Sequence, residues 1–463
     1  MNLDRKIESL LSRRHFLRTS AAGFGYLAFA GLAARAAADE TKFENPLLPK
    51  APHFPATAKR VIFLYMDGAP SHLDTFDYKP QLIADHGKAG KYGGRLFGSP
   101  FDFSQHGQSG LWISELFPNV AQHADDLALI RSMHCDQPAH PSAMVQMHTG
   151  TSTFIRPSLG SWAVYGLGTE NESMPGFLSL NPPPAGAPNY GSAFLPSVFG
   201  GARLGRGSVR GGVPEQAVDI ANAGNMSRNR QRRQLDFIQG LNRGMLDRVG
   251  GNNQNLEGVI ESFELGYRMQ DAMPGLMDLN GESAQTLERY GIGQGSTDGF
   301  GRQCLMARRF VESGVRFVEI AQGGWDHHSN LQTNLASRCE GVDLPIAGLL
   351  QDLKDRDMLK DTLVMWGGEF GRTPDQQGNG GRGHNNKGFT LWMAGGGVKG
   401  GVSYGATDEY GYEAVVNPVH IHDWHATILH LLGLDHERLT YRHAGRDFRL
   451  TDVYGNVIHD IIA

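Results

Sequence analysis

Arg60-Val61-Ile62-Phe63-Leu64-Tyr65-Met66 is apolar without interruption after its first residue and stops abruptly at Asp67-Gly68-Ala69-Pro70. A strand with one wet face alternates apolar and polar residues, whereas a continuous apolar run of this length reads as a strand covered on both faces. Four further stretches are candidate strands: Leu127–Ile130, Val315–Ile320, Thr362–Trp366 and Phe389–Met393. Between them lie helical patterns. Arg302–Glu312 is one, with Gly314 placed to close it; Leu335–Leu353 is a second; Asp423–Leu432 is a third, with Asp423 as its expected N-cap. Strands alternating with helices predict an α/β fold with a mostly parallel central sheet flanked by helices on both faces.

The composition agrees. With 40% apolar and 20% charged residues the chain of 463 is globular, and its 61 glycines, without a three-residue period, mark turns and long loops. Three cysteines cannot build a disulfide framework, so Cys135, Cys304 and Cys339 are expected as free core thiols. A net charge of −5 argues against a nucleic-acid binder, which would show a basic excess.

The N-terminus reads as an address. Ser12-Arg13-Arg14-His15-Phe16-Leu17-Arg18 is a twin-arginine export motif, followed by a weakly apolar stretch from Ala21 to Ala34 and a small-residue cleavage site at Ala36-Ala37-Ala38. Residues 1–38 are therefore expected to be a signal peptide read by the twin-arginine export machinery, and 39–58 a linker. A single domain is expected over 59–463, in the periplasm or cell envelope of a bacterium, with no stable transmembrane span. Residues 1–38 carry six basic and two acidic residues, so residues 39–463 have a net charge of −9. That balance suits a metal cation or a small substrate better than an anionic polymer. Within the domain, 181–215 reads as a long Gly/Pro-rich loop leading into a helical insertion that ends near 290. Residues 227–249 form a basic amphipathic helix, apolar at Leu235, Ile238, Leu241, Met245 and Val249, whose arginines are expected on a solvated face.

In open α/β sheets ligands bind at the carboxyl ends of the strands, so the residues just past each strand matter most. Asp67 and Ser71-His72-Leu73-Asp74 come after the first, and His140-Pro141-Ser142 after the second, where Pro141 opens a helix. Gly323-Gly324-Trp325-Asp326-His327-His328 comes after the third, and Gly368-Glu369-Phe370-Gly371-Arg372 after the fourth; Gly381-Arg382-Gly383-His384 precedes the fifth. Singly, each has a structural reading: Asp67 as a helix cap, Glu369 as a partner of Arg372. Together they gather carboxylates and imidazoles at one sheet edge, the mixed donor set that divalent metals choose. His425 and His430, at apolar spacing in the last helix, read as core or surface. Gly401-Val402-Ser403-Tyr404-Gly405 lacks the strand and helix of a nucleophile elbow. Gly395–Lys399 lacks the spacing of a phosphate loop.

The motifs Ser71–Pro80, Gly323–Asp326, Gly368–Pro374, Gly381–His384 and Ala394–Gly401 resemble those of domain-of-unknown-function family 1501, exported bacterial proteins placed in the alkaline-phosphatase superfamily beside sulfatases. The resemblance implies an alkaline-phosphatase-like fold and a metal-dependent hydrolase of phosphate or sulfate esters, acting on a small-molecule or saccharide ester. By the same resemblance, Asp326, His328 and His384 hold one divalent ion and Asp67 or Asp74, with Glu369, a second; zinc, manganese, calcium and magnesium are the candidates. Ser142, beside His140 at the helix start, stands in the nucleophile slot, and Arg372 or Arg382 is placed to hold the ester oxygens. Phe370 departs from the pattern, because it replaces an imidazole of the second metal site. The formylglycine motif of ordinary sulfatases is also missing. These departures keep open an alternative: a non-catalytic cell-envelope binding or assembly protein that retains the fold.

Overall fold

The computed structural model describes residues 45–182, 187–204, 209–210, 213–214, 226–249 and 253–463. The expected signal peptide, and residues 39–44 of the expected linker, lie outside the described residues.

The strands of the central sheet, in chain order, are β1 (Arg60–Asp67), β2 (Leu127–His134), β3 (Phe177–Leu180), β4 (Ala202–Leu204) and β5 (Phe317–Gly323). Next come β6 (Thr362–Gly367), then a hairpin outside the sheet formed by β7 (Gly371–Gln377) and β8 (Gly381–Asn385). The sheet resumes with β9 (Phe389–Ala394), β10 (Val402–Tyr404) and β11 (Val419–His420). Across the sheet the order is β10-β2-β9-β6-β1-β5-β3-β4, with β11 also paired to β2. Every neighbouring pair is parallel except the two made by β9. The exception has a geometric cause. β9 neighbours β6 and is reached from it by a hairpin rather than a crossover helix, and short connections join antiparallel strands. Its amino end therefore lies at the edge where the other strands have their carboxyl ends.

Alternate residues of β1 feed two cores. Ile62, Leu64 and Met66 pack into one with residues of helices α5 (Asp298–Glu312) and α6 (Leu331–Asp355). Val61, Phe63 and Tyr65 pack into the other, with residues of α1 (His140–Thr149), α2 (Leu159–Leu167) and α7 (Ile421–Leu431). This is the doubly covered α/β sheet that the sequence predicts. The two remaining long helices, α3 (Arg228–Arg248) and α4 (Gln254–Met277), make the helical insertion.

The structure corrects three local expectations. Residues 45–58 bind the body instead of hanging free: Lys50 N donates to Leu167 O at 2.9 Å and Ala58 N to Leu431 O at 2.9 Å. The stretch 181–215 is not all loop, since β4 adds an edge strand to β3. The N-cap of α7 is His420; Asp423 sits three residues on and completes a capping box by accepting the His420 N–H.

Candidate metal centre

The tips of β1, β5 and β6 are stitched together by backbone. Gly68 has φ 109°, and a Cβ there would lie 2.8 Å from Asp326 N. Only glycine lets the loop after β5 approach this closely. The Gly68 N–H donates to Glu369 Oε1 at 3.1 Å. Ala69, at φ 61°, turns its carbonyl onto Arg372 Nε at 2.9 Å, and Gly68 O accepts from Arg372 Nη2. Arg372 is thereby fixed beneath the loop that carries Asp326.

Four side chains converge on one oxygen, Asp326 Oδ1. His328 Nε2 lies 3.0 Å from it, His140 Nε2 3.3 Å and His384 Nε2 3.4 Å. Arg372 Nη2 donates to it at 2.7 Å. Each imidazole is also engaged at its other nitrogen. His140 Nδ1 faces Glu369 Oε1 at 2.5 Å, His328 Nδ1 faces Gln377 Oε1 at 2.7 Å, and His384 Nδ1 faces Pro138 O at 2.7 Å. All three partners are acceptors, so each proton belongs on Nδ1 and each neutral ring aims the Nε2 lone pair at the carboxylate. Arg372 offsets the charge of the carboxylate, but the three lone pairs that face it still repel one another, and a cation among them would relieve that. Charging all three rings instead would set three imidazoliums and the Arg372 guanidinium around one carboxylate. His140 Nε2 is buried without a hydrogen-bond partner. The ligand atoms of His140, Asp326 and His384 lie within 4.8 Å of one another. Imidazole nitrogens backed by acceptors, together with a carboxylate, fit a divalent ion such as zinc or manganese.

The electrostatics arise from these contacts. Burial opposes ionisation of Asp326, yet Arg372, His140 and His328 outweigh it and hold the carboxyl at about 2. Burial also opposes charging His140, and Glu369 and Asp326 outweigh it, so its pKa is raised. His384 is lowered by burial, then by Arg372 and His140. Asp67, at the tip of β1, is pushed up to about 6 by burial and by the charge of Glu369.

The other sequence candidates fall in different places. Glu369 is fully buried and already accepts from Gly68 N, His140 Nδ1 and Tyr65 Oη, the last at 2.9 Å. It orients His140; it has little left to offer a second ion. Asp74 and Arg382 do not join the cluster. They form a fully buried bidentate pair, Arg382 Nε to Asp74 Oδ2 at 2.7 Å and Nη2 to Oδ1 at 3.0 Å, which ties the 3-10 turn after β1 to β8. With both functional ends consumed, Asp74 is not arranged as a metal ligand nor Arg382 as an ester clamp. Ser142 lies in the first turn of α1, half-buried, and its Oγ donates to Ala139 O at 3.4 Å. Phe370 packs at a tilt against two of the imidazoles, with ring centroids 4.7 Å from His140 and 4.8 Å from His384. Sequence reasoning missed the outer supports, Gln377 and the Pro138 carbonyl, and set His140 beside Ser142 as a catalytic candidate, without the contact to Asp326 that the fold gives it. Its position at the start of a helix after a strand was the available signal.

The chain belongs to the family described as protein of unknown function (DUF1501), whose model matches residues 58–462. No curated relative matches the sequence. Among solved structures the chain is similar to the PsFucS1 sulfatase from Pseudoalteromonas sp., at 15% identity over 82% of this chain and 68% of that one, TM-score 0.34. It is similar also to an alkaline phosphatase from the Antarctic bacterium TAB5, at 14% identity over 82% and 99%, TM-score 0.34. A third similar structure is the lipoteichoic acid synthase LtaP from Listeria monocytogenes, at 8% identity over 88% and 79%, TM-score 0.35. At these scores the likeness assigns no reaction, and the reading of the site rests on its own geometry.

Proposed function

We propose that the protein is an exported, metal-dependent hydrolase of phosphate or sulfate esters. The observation that carries this reading is the convergence of three acceptor-backed imidazoles on Asp326 at the carboxyl edge of the sheet. His140, Asp326 and His384 would hold one divalent ion, with His328 on the same carboxylate oxygen. Such an ion supplies Lewis acidity toward an ester oxygen.

The remaining roles belong to the chain. Arg372 is held by the carbonyls of Gly68, Ala69 and Trp325 and by Asp326, and its buried Nη1 has no partner. It would be the donor to a free oxygen of the ester. Asp67, with a pKa near 6 in the free protein, is the carboxyl suited to take a proton from an attacking water near neutral pH. Ser142, bonded back to Ala139, is not assigned as nucleophile. Export rests on Ser12–Arg18 and Ala36–Ala38.

The test is turnover of aryl phosphates and aryl sulfates with added manganese or zinc, alongside metal content by mass spectrometry. Wild-type protein is expected to bind about one ion per chain and turn over one of the two substrate classes, and Asp326→Ala to lose both properties. Protein that takes up no metal after reloading, or turnover indifferent to Asp326→Ala, would refute the reading. The 2.7 Å contact of Arg372 with Asp326 and the packing of Phe370 against His140 favour one rival, a non-catalytic envelope protein with a structural ion. That rival predicts bound metal without turnover of either substrate class.

A further inference from the structure

Helix α3 turns its apolar stripe away from the protein. Inward it buries Leu235, Gln239 and Leu246 against α4, where Gln239 Nε2 donates to Ile260 O at 2.7 Å. Arg232 forks onto Glu264 at 2.7 and 2.9 Å, and Arg228 covers the Tyr267 ring at 3.7 Å. Outward stand Phe237, Leu241 and Met245, 70%, 58% and 53% exposed, with Ile238 and Val249 beside them. Spacing of four places Phe237, Leu241 and Met245 in one line along the helix. Arg230, Arg233 and Arg248 are solvated as expected, but the apolar side is not packed inward: of the five apolar residues in the sequence pattern only Leu235 is buried.

The outward charges are sorted as well. Arg228 and Arg232 are spent on α4. Arg230 lies two turns before Phe237, Arg233 one turn before it, and Arg248 two turns after Leu241, so all three border the apolar line. All three are exposed, and among the described residues none forms an ion pair. The helix carries six arginines against two aspartates in a chain whose net charge is −5. A nucleic acid would neutralise the arginines and leave the apolar line in water. A second copy docking helix to helix would cover the line and set unpaired arginines against arginines. An anionic lipid surface satisfies both features, since acyl chains accept the apolar line and phosphates the arginines. Among the described residues no helix is long and apolar enough to cross a membrane. The mode is a helix lying in the interface.

We propose that α3 docks the protein on an anionic lipid surface, seating Phe237, Leu241 and Met245 at the hydrocarbon boundary while Arg230, Arg233 and Arg248 meet lipid phosphates. The test uses the full chain carrying Met245→Cys and an environment-sensitive thiol fluorophore; Cys135, Cys304 and Cys339 are buried, which directs the label to position 245. Emission is expected to shift to the blue with phosphatidylcholine vesicles containing phosphatidylglycerol, to stay unchanged with phosphatidylcholine alone, and to revert at high salt. The triple variant Arg230→Glu, Arg233→Glu, Arg248→Glu, matched to wild type in thermal melting, is expected to weaken partitioning by roughly 100-fold. No shift, an equal shift on neutral vesicles, or full binding by the triple variant overturns the proposal. So does a vesicle-independent shift that grows with protein concentration alongside a dimer mass, which would make a second copy the occupant.

Discussion

Two clusters of histidine and aspartate stand at the carboxyl edge of one sheet, and they are built in opposite ways. Around Asp326 each imidazole gives its Nδ1 proton to an acceptor outside the cluster and turns a bare Nε2 inward. Around His420 the rings are spent on the fold. His420 Nε2 donates to Asp136 Oδ1 at 3.1 Å while its Nδ1 accepts the His422 N–H at 3.2 Å, and His422 Nε2 donates to Gly150 O at 2.6 Å. Asp423 accepts the His420 N–H in the capping box of α7 and holds Asn456. The residue types are the same. What separates a metal-binding arrangement from structural bonding is where each ring's single proton is committed.

That comparison breaks most sharply at Asp326. Asp326→Ala removes the oxygen on which three imidazoles converge, and metal content measured by mass spectrometry is expected to fall to background. His420→Ala should leave it unchanged. An ion retained by Asp326→Ala, or lost in His420→Ala, would reverse the assignment of the two clusters.

Next in size is the buried pair that the cluster excludes. Asp74→Ala strands the Arg382 guanidinium without a counter-charge in the interior, a loss of about 3–5 kcal/mol in unfolding free energy. Metal content of the protein that still folds should match wild type. A parallel loss of metal at unchanged stability would return Asp74 to the ligand set.

A smaller effect is expected at Glu369, which touches the centre only through His140. Glu369→Gln keeps the shape and accepts the Gly68 N–H, but holds the His140 proton less strongly. Outer partners of this kind are worth about 10–100-fold in metal affinity. Competition with a chelator measures the shift; an affinity equal to wild type would mean that Glu369 only supports the strand tips.

The sequence exposes the sheet because burial on both faces leaves no choice of residue. β1 and β6 are apolar at every interior position, and both lie in the middle of the sheet. β3 and β4, of four and three residues, are too short to carry a pattern. The donors of the candidate centre are also legible, since Asp326, His328 and His384 stand next to strand ends. Distance across the fold is not legible. Asp74 and Asp67 come after the same strand seven residues apart, yet only long-range pairing sends Asp74 to Arg382, 308 positions away. The inward and outward sides of α3 are likewise fixed by α4, because its apolar residues alone fit either orientation.

The smallest expected effect concerns two histidines beneath the centre, and it sharpens the comparison in terms of protons. His148, within α1, is buried and donates Nδ1–H to Met144 O, with Nε2 3.2 Å from Glu319 Oε2. Burial opposes its charge, but Glu319 outweighs burial and raises its pKa. His425, on α7, donates Nε2–H to Met147 O of α1; among the described residues it has no carboxylate partner, and burial lowers it to about 3. Between the ordinary value near 6.5 and the raised value, folded protein holds a proton at His148 that unfolded protein has released, so stability falls as pH rises through that window. Between 6.5 and 3, unfolded protein gains a proton at His425 that folded protein refuses, so stability falls as pH drops. Thermal midpoints measured against pH should therefore decline on both sides of about 6.5. His148→Gln should flatten the alkaline side by a few degrees and leave the acid side, and His425→Gln should do the reverse. If His148→Gln instead flattens the acid side, the Glu319 pairing is not what sets the charge of His148.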